Sequence, residues 1–191
     1  MNVFRHLIPV ALLSLSLTAF AQDNSHHHSS DPPTPSDAQQ SFTQLKTLAG
    51  AWLGPVKVEP PMPEMGNKPT RVTLRVTSRG NALVHEMKED GTPDDPAKYD
   101  DPITMLYLDK DKLFLTHYCD AGNRPRMVAK SSPDGKTVDF DFIDVAGSTQ
   151  YGHMMHAKFT LIDANHHLED WTYMMPGDKP IHAHFDLQRA Q

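Results

Sequence analysis

Residues 70–89 read TRVTLRVTSRGNALVHEMKE, and this stretch decides the fold class. Its first half alternates apolar and polar residues, which is the period-two pattern of a β-strand with one buried face. The apolar members are Val72, Leu74 and Val76. Gly80-Asn81 is a tight-turn signal, and apolar residues resume beyond it. The stretch therefore predicts a β-hairpin, and a two-residue loop places His85 on the apolar face.

The same signature recurs from residue 51 to residue 189, as about ten short β-segments separated by Gly, Pro, Asp and Asn. A short helix over residues 38–48 precedes them, with Ser36 or Asp37 as its cap. A long antiparallel meander has two open edges, and closure into a barrel removes both. The sequence predicts an all-β fold, an up-and-down antiparallel barrel of about ten strands with a short N-terminal helix. A two-sheet sandwich is the alternative.

The N-terminal region divides into two segments that are not expected to belong to the barrel. Residues 1–21 combine a basic start, an apolar run and the small-x-small site Ala19-Phe20-Ala21, which is typical of a signal peptide. The apolar run is shorter than the roughly 20 residues that span a bilayer. Residues 22–40, rich in Ser, Pro, Asp and His, are predicted to be a disordered linker, and residues 41–191 the barrel domain. The predicted location is periplasmic or secreted.

Composition narrows the range of partners. The chain has 191 residues and a formal net charge of −6, with no run of Lys and Arg, so a nucleic-acid partner is not expected. Its one cysteine, Cys119, excludes an internal disulfide and is predicted to be buried. No phosphate-binding glycine loop, Gly-x-Ser-x-Gly or His-Glu-x-x-His motif is found in the sequence.

Two stretches carry a resemblance to a known fold family. Residues 48–54, LAGAWLG, resemble the opening of calycin-type barrels, which include lipocalins, fatty-acid-binding proteins and nitrobindin-like proteins. In those proteins a helical turn leads into Gly-x-Trp, and the Trp closes the barrel floor. Residues 115–127, LTHYCDAGNRPRM, are similar to a run in exported bacterial proteins of unknown function that are grouped with small calycin-like barrels. The resemblance implies the fold, with Trp52 at the floor, and implies no established activity.

The resemblance also raises haem as a cofactor, because nitrobindin-like proteins bind haem through a histidine near the C-terminus. His182 and His184 are the candidates on the last predicted strand. They alternate with apolar residues, so we expect them to point away from the barrel interior. The glycine-rich continuation of the nitrobindin opening is replaced here by Pro55-Val56-Lys57. We therefore predict no cofactor, with haem or a transition metal as the alternatives.

The densest cluster of polar side chains surrounds a predicted turn after Cys119. With a four-residue loop His117 lies opposite Arg126, and with a three-residue loop Tyr118 takes that place. Arginine and histidine facing one cavity would suit a carboxylate. The alternative is a hairpin whose arginines lie in solvent. His117 and Cys119 share a face, so they could supply two ligands of a metal site, with a third from His85 or from another strand.

A second cluster lies near the C-terminus. Glu169, Trp171 and Tyr173 share one face of a predicted strand, either as acid–base partners inside a barrel or as cross-strand packing. The preceding pair His166-His167 is predicted to lie in a solvated turn.

We interpret the sequence as an exported protein that holds a small, mainly apolar ligand, with or without a carboxylate, in a barrel cavity. The predicted ligand-binding residues are Trp52, His85, Tyr107, His117, Tyr118 and Arg126. One alternative is a barrel enzyme of isomerase or hydrolase type that uses His117 as acid or base. The other is a structural or interaction module with a solid interior. A membrane span is not expected, and the oligomeric state stays open.

Overall fold

The computed structural model describes residues 34–63, 66–131 and 135–190. The predicted signal peptide and the predicted linker up to residue 33 lie outside the described residues. Within the described ranges the chain forms one α-helix, a short 3-10 turn and eleven strands. In chain order they are α1 (Asp37–Lys46), β1 (Gly50–Gly54), β2 (Val56–Glu59), β3 (Thr70–Thr77), β4 (Ala82–Glu89), β5 (Ile103–Asp109), β6 (Lys112–Tyr118), β7 (Arg124–Ser131), β8 (Thr137–Ala146), β9 (His153–Asp163), β10 (His166–Met175) and β11 (Lys179–Arg189).

The strands close into a barrel. Each strand from β3 to β10 pairs antiparallel with the next along the chain, and β1 pairs with β3 on one side and β11 on the other. Strand β2 continues β1 beyond Pro55 and also pairs with β11, so the two are halves of one interrupted strand. The predicted closed ten-strand antiparallel barrel is therefore confirmed. Among the described residues, no helix has the length and apolar character needed to cross a bilayer.

The interruption at Pro55 has a local physical cause. Proline cannot donate a backbone hydrogen bond to a neighbouring strand, so the ladder breaks there. The backbones also approach closely at the preceding residue, where a Cβ added to Gly54 would lie 1.8 Å from the carbonyl oxygen of Asp186. Only glycine fits this contact between β1 and β11, at the seam that closes the barrel.

The hairpin of β3 and β4 differs from its predicted register. The connection contains four residues, of which Ser78 and Arg79 adopt left-handed backbone angles with φ of 52° and 55°. His85 consequently lies opposite Leu74, not Val76. The shift is two residues, and because side chains alternate with a period of two, every side chain keeps its predicted face. His85 therefore points into the barrel, where it is fully buried.

Helix α1 closes one end of the barrel. Ser36 caps it, since its hydroxyl accepts a hydrogen bond from the Gln39 N–H at 3.3 Å and its own N–H donates to Gln39 Oε1 at 2.8 Å. Phe42 and Leu45 on the helix are buried in the barrel core. The helix begins at Asp37, so the last four residues of the range predicted as linker are helical.

Replacing the cap should weaken this closure measurably. Ser36→Ala removes the hydroxyl acceptor of the first turn and should lower the free energy of unfolding by about 1 kcal/mol. Urea unfolding measures this difference. Thr43→Ala is the control, because Thr43 is exposed on the same helix and alanine is the better helix former. An equal loss of stability in both variants would show that the capping box does not hold the helix end.

The barrel end beneath α1 is sealed by one tryptophan. Trp52 on β1 is fully buried, and its Nε1–H donates to the Leu48 carbonyl at 2.7 Å. The Arg189 guanidinium lies over the Trp52 ring, 4.2 Å from its centroid, and donates to the Ala49 carbonyl at 3.0 Å. Apolar side chains of the core, among them Phe42, Leu45 and Leu48, surround Trp52 at this end of the barrel.

Candidate functional site

A row of polar side chains runs along the inner face of β10. His167, Glu169 and Trp171 alternate with outward residues, and all three are buried. The Glu169 carboxylate accepts three hydrogen bonds of 2.9 Å each, from Nε2 of His85, Nε2 of His167 and Nε1 of Trp171. An ionised carboxylate only accepts, so both histidines carry a proton on Nε2. Their Nδ1 atoms are buried and have no hydrogen-bond partner among the described residues.

The Glu169 network keeps a negative charge inside the barrel. Burial alone would raise the pKa of Glu169, because it disfavours the charged form. The charge of His85 and the hydrogen bonds from both histidines outweigh burial and hold the pKa well below its usual range. Glu169 is therefore ionised across the physiological pH range. The network spans the interior, because the His167 ring lies 4.2 Å from the Trp52 ring at the closed end.

A cavity of about 700 Å³ lies beyond the Glu169 network, at the end of the barrel away from α1. We call it the open-end cavity. Most of its wall is apolar, and four of its lining residues are methionines, which adapt readily to different apolar shapes. Its aromatic lining residues are Tyr151, Trp171, Tyr173 and Phe185. Trp171 both lines the cavity and donates to Glu169, so it connects the two.

His117 is the buried polar group of the cavity wall. It lies on the inner face of β6, 2% exposed, and its Nδ1 is 2.8 Å from the Thr104 hydroxyl oxygen. In the strand register Thr104 lies between His85 and His117, so the three form one row across β4, β5 and β6. Burial and then the charge of His85 lower the pKa of His117 to about 4. At neutral pH it is an uncharged hydrogen-bonding group.

The rim of the cavity is acidic. Asp100 and Asp120 line it, and the Asp120 backbone N–H donates to Asp100 Oδ1 at 3.1 Å. Partial desolvation at the rim, followed by the charge of Asp120, raises the pKa of Asp100 to about 6. Cys119 is half-buried and also lines the cavity, and burial raises the pKa of its thiol. It is therefore a poor thiolate nucleophile at neutral pH.

The structure does not bring the six predicted ligand-binding residues together at one site. His117 lines the cavity, and His85 lies deeper, in contact with Glu169. Trp52 is at the closed end, because β1 starts directly after α1, and it does not line the open-end cavity. The predicted floor position of Trp52 agrees with the structure.

The other three predicted residues lie on the outer surface. The predicted pairings of Arg126 are wrong: it lies opposite Thr116, which puts its side chain outside the barrel. There it forms an ion pair with Asp144, with Nη2 2.5 Å from Oδ2. Tyr118 is 43% exposed, and Tyr107 stacks against Phe114. None of the three lines the open-end cavity. The loop before β7 is longer than expected, and one residue of register reverses the faces.

The position of one residue of the Glu169 network, His167, differs from the sequence-based prediction. His167 was expected in a solvated turn, but it lies within β10 and is fully buried, so that prediction is wrong. Its neighbour His166 is the one that faces outward and bonds to Asp186. The usable signal is the alternation His167-x-Glu169-x-Trp171, which places all three side chains on one face.

Candidate ligands for haem or metal lie mainly on the outer surface. His182 and His184 are exposed, as predicted, and bond to Thr172 and Asp170. One group among the described residues brings three ligand atoms within 4.8 Å of one another: Asp139, Asp141 and His156. These side chains project from the outer face of β8 and β9, and Lys130 forms an ion pair with Asp141 there.

No family model matches the chain, and no curated protein matches it. Among solved structures, the chain is similar to a protein of unknown function from the DUF3598 family of Nostoc punctiforme. The two share 11% identity at a TM-score of 0.41, over 77% of this chain and 49% of that chain. The chain thus spans about half the length of that structure.

Proposed function

We propose that this protein is an exported binding protein of calycin-like architecture that holds a small, mainly apolar ligand in the open-end cavity. One observation carries the proposal: a cavity of about 700 Å³, apolar over most of its wall, with a buried hydrogen-bonding group at His117. Small-molecule sites are usually concave and mainly apolar, with a few placed polar groups and volumes of roughly 300–1,000 Å³. The open-end cavity has each of these properties.

The calycin-like architecture and the export rest on separate observations. Closure of the barrel, the short helix across one end and the buried Trp52 beneath it support the architecture. The signal-peptide features of residues 1–21 support export to the periplasm or beyond.

The geometry favours binding over acid–base catalysis at His117. Its Nδ1 is bonded to Thr104, and no carboxylate contacts the ring among the described residues. A general base works best with a pKa near the operating pH, whereas the pKa of His117 is about 4. The cavity likewise disfavours a purely structural role with a solid interior, since the interior at the end away from α1 holds a space of about 700 Å³.

Filling the cavity tests the proposal. Ala183 lines the cavity opposite Trp171 on the neighbouring strand. Ala183→Phe should weaken binding of the neutral fluorescent probe Nile red by about tenfold or more, because the added ring occupies ligand volume. His182→Phe is the matched control, since it places the same phenyl ring at the adjacent residue of β11, on the outer face. Fluorescence titration measures both affinities.

Two results would overturn the proposal. The first is a wild-type protein that does not bind Nile red. The second is equal affinity in the Ala183→Phe and His182→Phe variants, which would place the probe outside the cavity.

A further inference from the structure

We infer that the ligand of the open-end cavity carries a cationic amine or quaternary ammonium group, held among aromatic rings and facing Asp100 and Asp120. This inference rests on the proposed function and names the chemical class of the ligand. It replaces the carboxylate considered from the sequence, because the arginine on which that idea depended, Arg126, lies outside the barrel.

The charge of the lining favours a cation. Among the described residues that line the cavity, Asp100 and Asp120 carry carboxylates, and none is Lys or Arg. His117 supplies no positive charge at neutral pH, because its pKa is about 4. An anionic ligand would therefore approach two like charges with no compensating cation in the wall. Desolvation and then repulsion from Asp120 raise the pKa of Asp100, and a cationic ligand would relieve that repulsion.

The aromatic rings of the cavity wall supply a second attraction for a cationic group. A cation over the face of Trp, Tyr or Phe is attracted by the ring quadrupole, and the attraction is stronger where water is excluded. Trp171 is 3% exposed, and its ring is fixed by its bond to Glu169. Tyr173 is fixed too: its hydroxyl donates to the Tyr151 carbonyl at 2.9 Å. A Cβ added to Gly152 would come within 2.6 Å of the Tyr173 ring. These rings are pre-organised, which lowers the entropy cost of binding.

The remaining wall argues for an organic cation over a metal ion. Most of the lining is apolar, and side chains such as Met87, Met154 and Ile181 offer no oxygen or nitrogen ligand. A bare metal ion would leave most of the 700 Å³ unfilled. An amphiphilic amine places its apolar body against this wall and its charged group near the rim and the rings.

A matched series of probes tests the inference. Decyltrimethylammonium, decanol and decanoate share one alkyl chain and differ in head-group charge. We expect affinity for the wild-type protein to fall in that order, with the ammonium about tenfold tighter than the alcohol. Displacement of Nile red measures all three. The neutral alcohol separates the apolar contribution, which the proposed function already requires, from the contribution of charge.

The double variant Asp100→Asn/Asp120→Asn should lower the affinity for the ammonium towards that for the alcohol and leave the affinity for the alcohol unchanged. Its control is Asp109→Asn/Asp111→Asn, which changes formal charge equally at the turn between β5 and β6, at the closed end. Equal affinity of the three probes for the wild type overturns the cationic inference and leaves the proposed function intact. A preference for decanoate overturns the inference as well. Absence of Nile red binding overturns both.

Discussion

Glu169→Gln is expected to lower the free energy of unfolding by about 3–5 kcal/mol, the usual cost of removing one partner from a buried charged network. Glu169 is fully buried and accepts hydrogen bonds from two histidines and one indole. The glutamine amide offers one acceptor oxygen and an NH₂ group that can only donate. At least one buried N–H therefore faces another donor in the variant and loses its partner.

The neighbouring residue supplies the control for this prediction. Asp170→Asn makes the same change from acid to amide on the same strand, but Asp170 faces outward, 33% exposed, with Lys158 2.8 Å away. Partly exposed ion pairs contribute little, so we expect a loss below about 1 kcal/mol. Urea unfolding of both variants at pH 7 gives the comparison. Similar losses in the two would mean that the interior carboxylate does not stabilise the barrel.

The low pKa of Glu169 also fixes the sign of its pH dependence. A carboxylate whose folded pKa lies below its unfolded value stabilises the protein fully above the unfolded pKa, 4.5 for glutamate, and progressively less as pH falls below it. The wild type should therefore lose this contribution in acid. Glu169→Gln should lack that part of the acid-dependent loss.

His117 is expected to make the protein less stable by about 3 kcal/mol when the pH falls from 7 to 4. Its folded pKa is about 4 and its usual value 6.5, so the unfolded chain takes up the proton first. The stabilisation is complete above 6.5 and is lost as pH falls through 6.5 towards 4. The physical cause is burial on the inner face of β6, followed by the nearby charge of His85.

Comparison of variants at each pH isolates the contribution of His117. Asp100, with its pKa raised to about 6, works in the opposite direction, because the folded protein binds its proton first as pH falls. Asp100 and His117 both change protonation between pH 7 and pH 4. We therefore compare urea unfolding of three proteins at each pH in this range: the wild type, His117→Gln and the outward control His182→Gln. Between pH 7 and pH 4, His117→Gln should therefore lose less stability than the other two proteins. The same slope in all three would contradict the buried, neutral state of His117.

The alternation of apolar and polar residues along the sequence predicts this fold well, because the barrel consists of strands with one buried face joined mostly by short connections. Val72 and Leu74 point inward as their spacing requires, and a register error of two residues at His85 left the faces unchanged. Loop lengths, and with them the register of neighbouring strands, are predicted less reliably from the sequence. A single residue of difference before β7 moved Arg126 from the expected interior to the outer surface.

The Glu169 network was beyond sequence reasoning for a different reason. His85 and Glu169 are 84 residues apart, and only closure of the barrel brings them to 2.9 Å. A charged side chain is rarely buried unless paired, so hydropathy favours an exposed position for Glu169. His167 and Trp171 share the inner face of β10 with Glu169, but His85 comes from β4, and no local spacing connects it to β10.

Fluorine NMR of protein labelled with fluorotryptophan tests the central claim most directly, because the chain has two tryptophans, one at each end of the barrel. Trp171 lines the open-end cavity and Trp52 is sealed beneath α1. On titration with decyltrimethylammonium we expect the Trp171 resonance, assigned with Trp171→Phe, to shift until saturation while the Trp52 resonance stays in place. A Trp171 resonance that does not move under saturating probe would contradict a ligand site in this cavity.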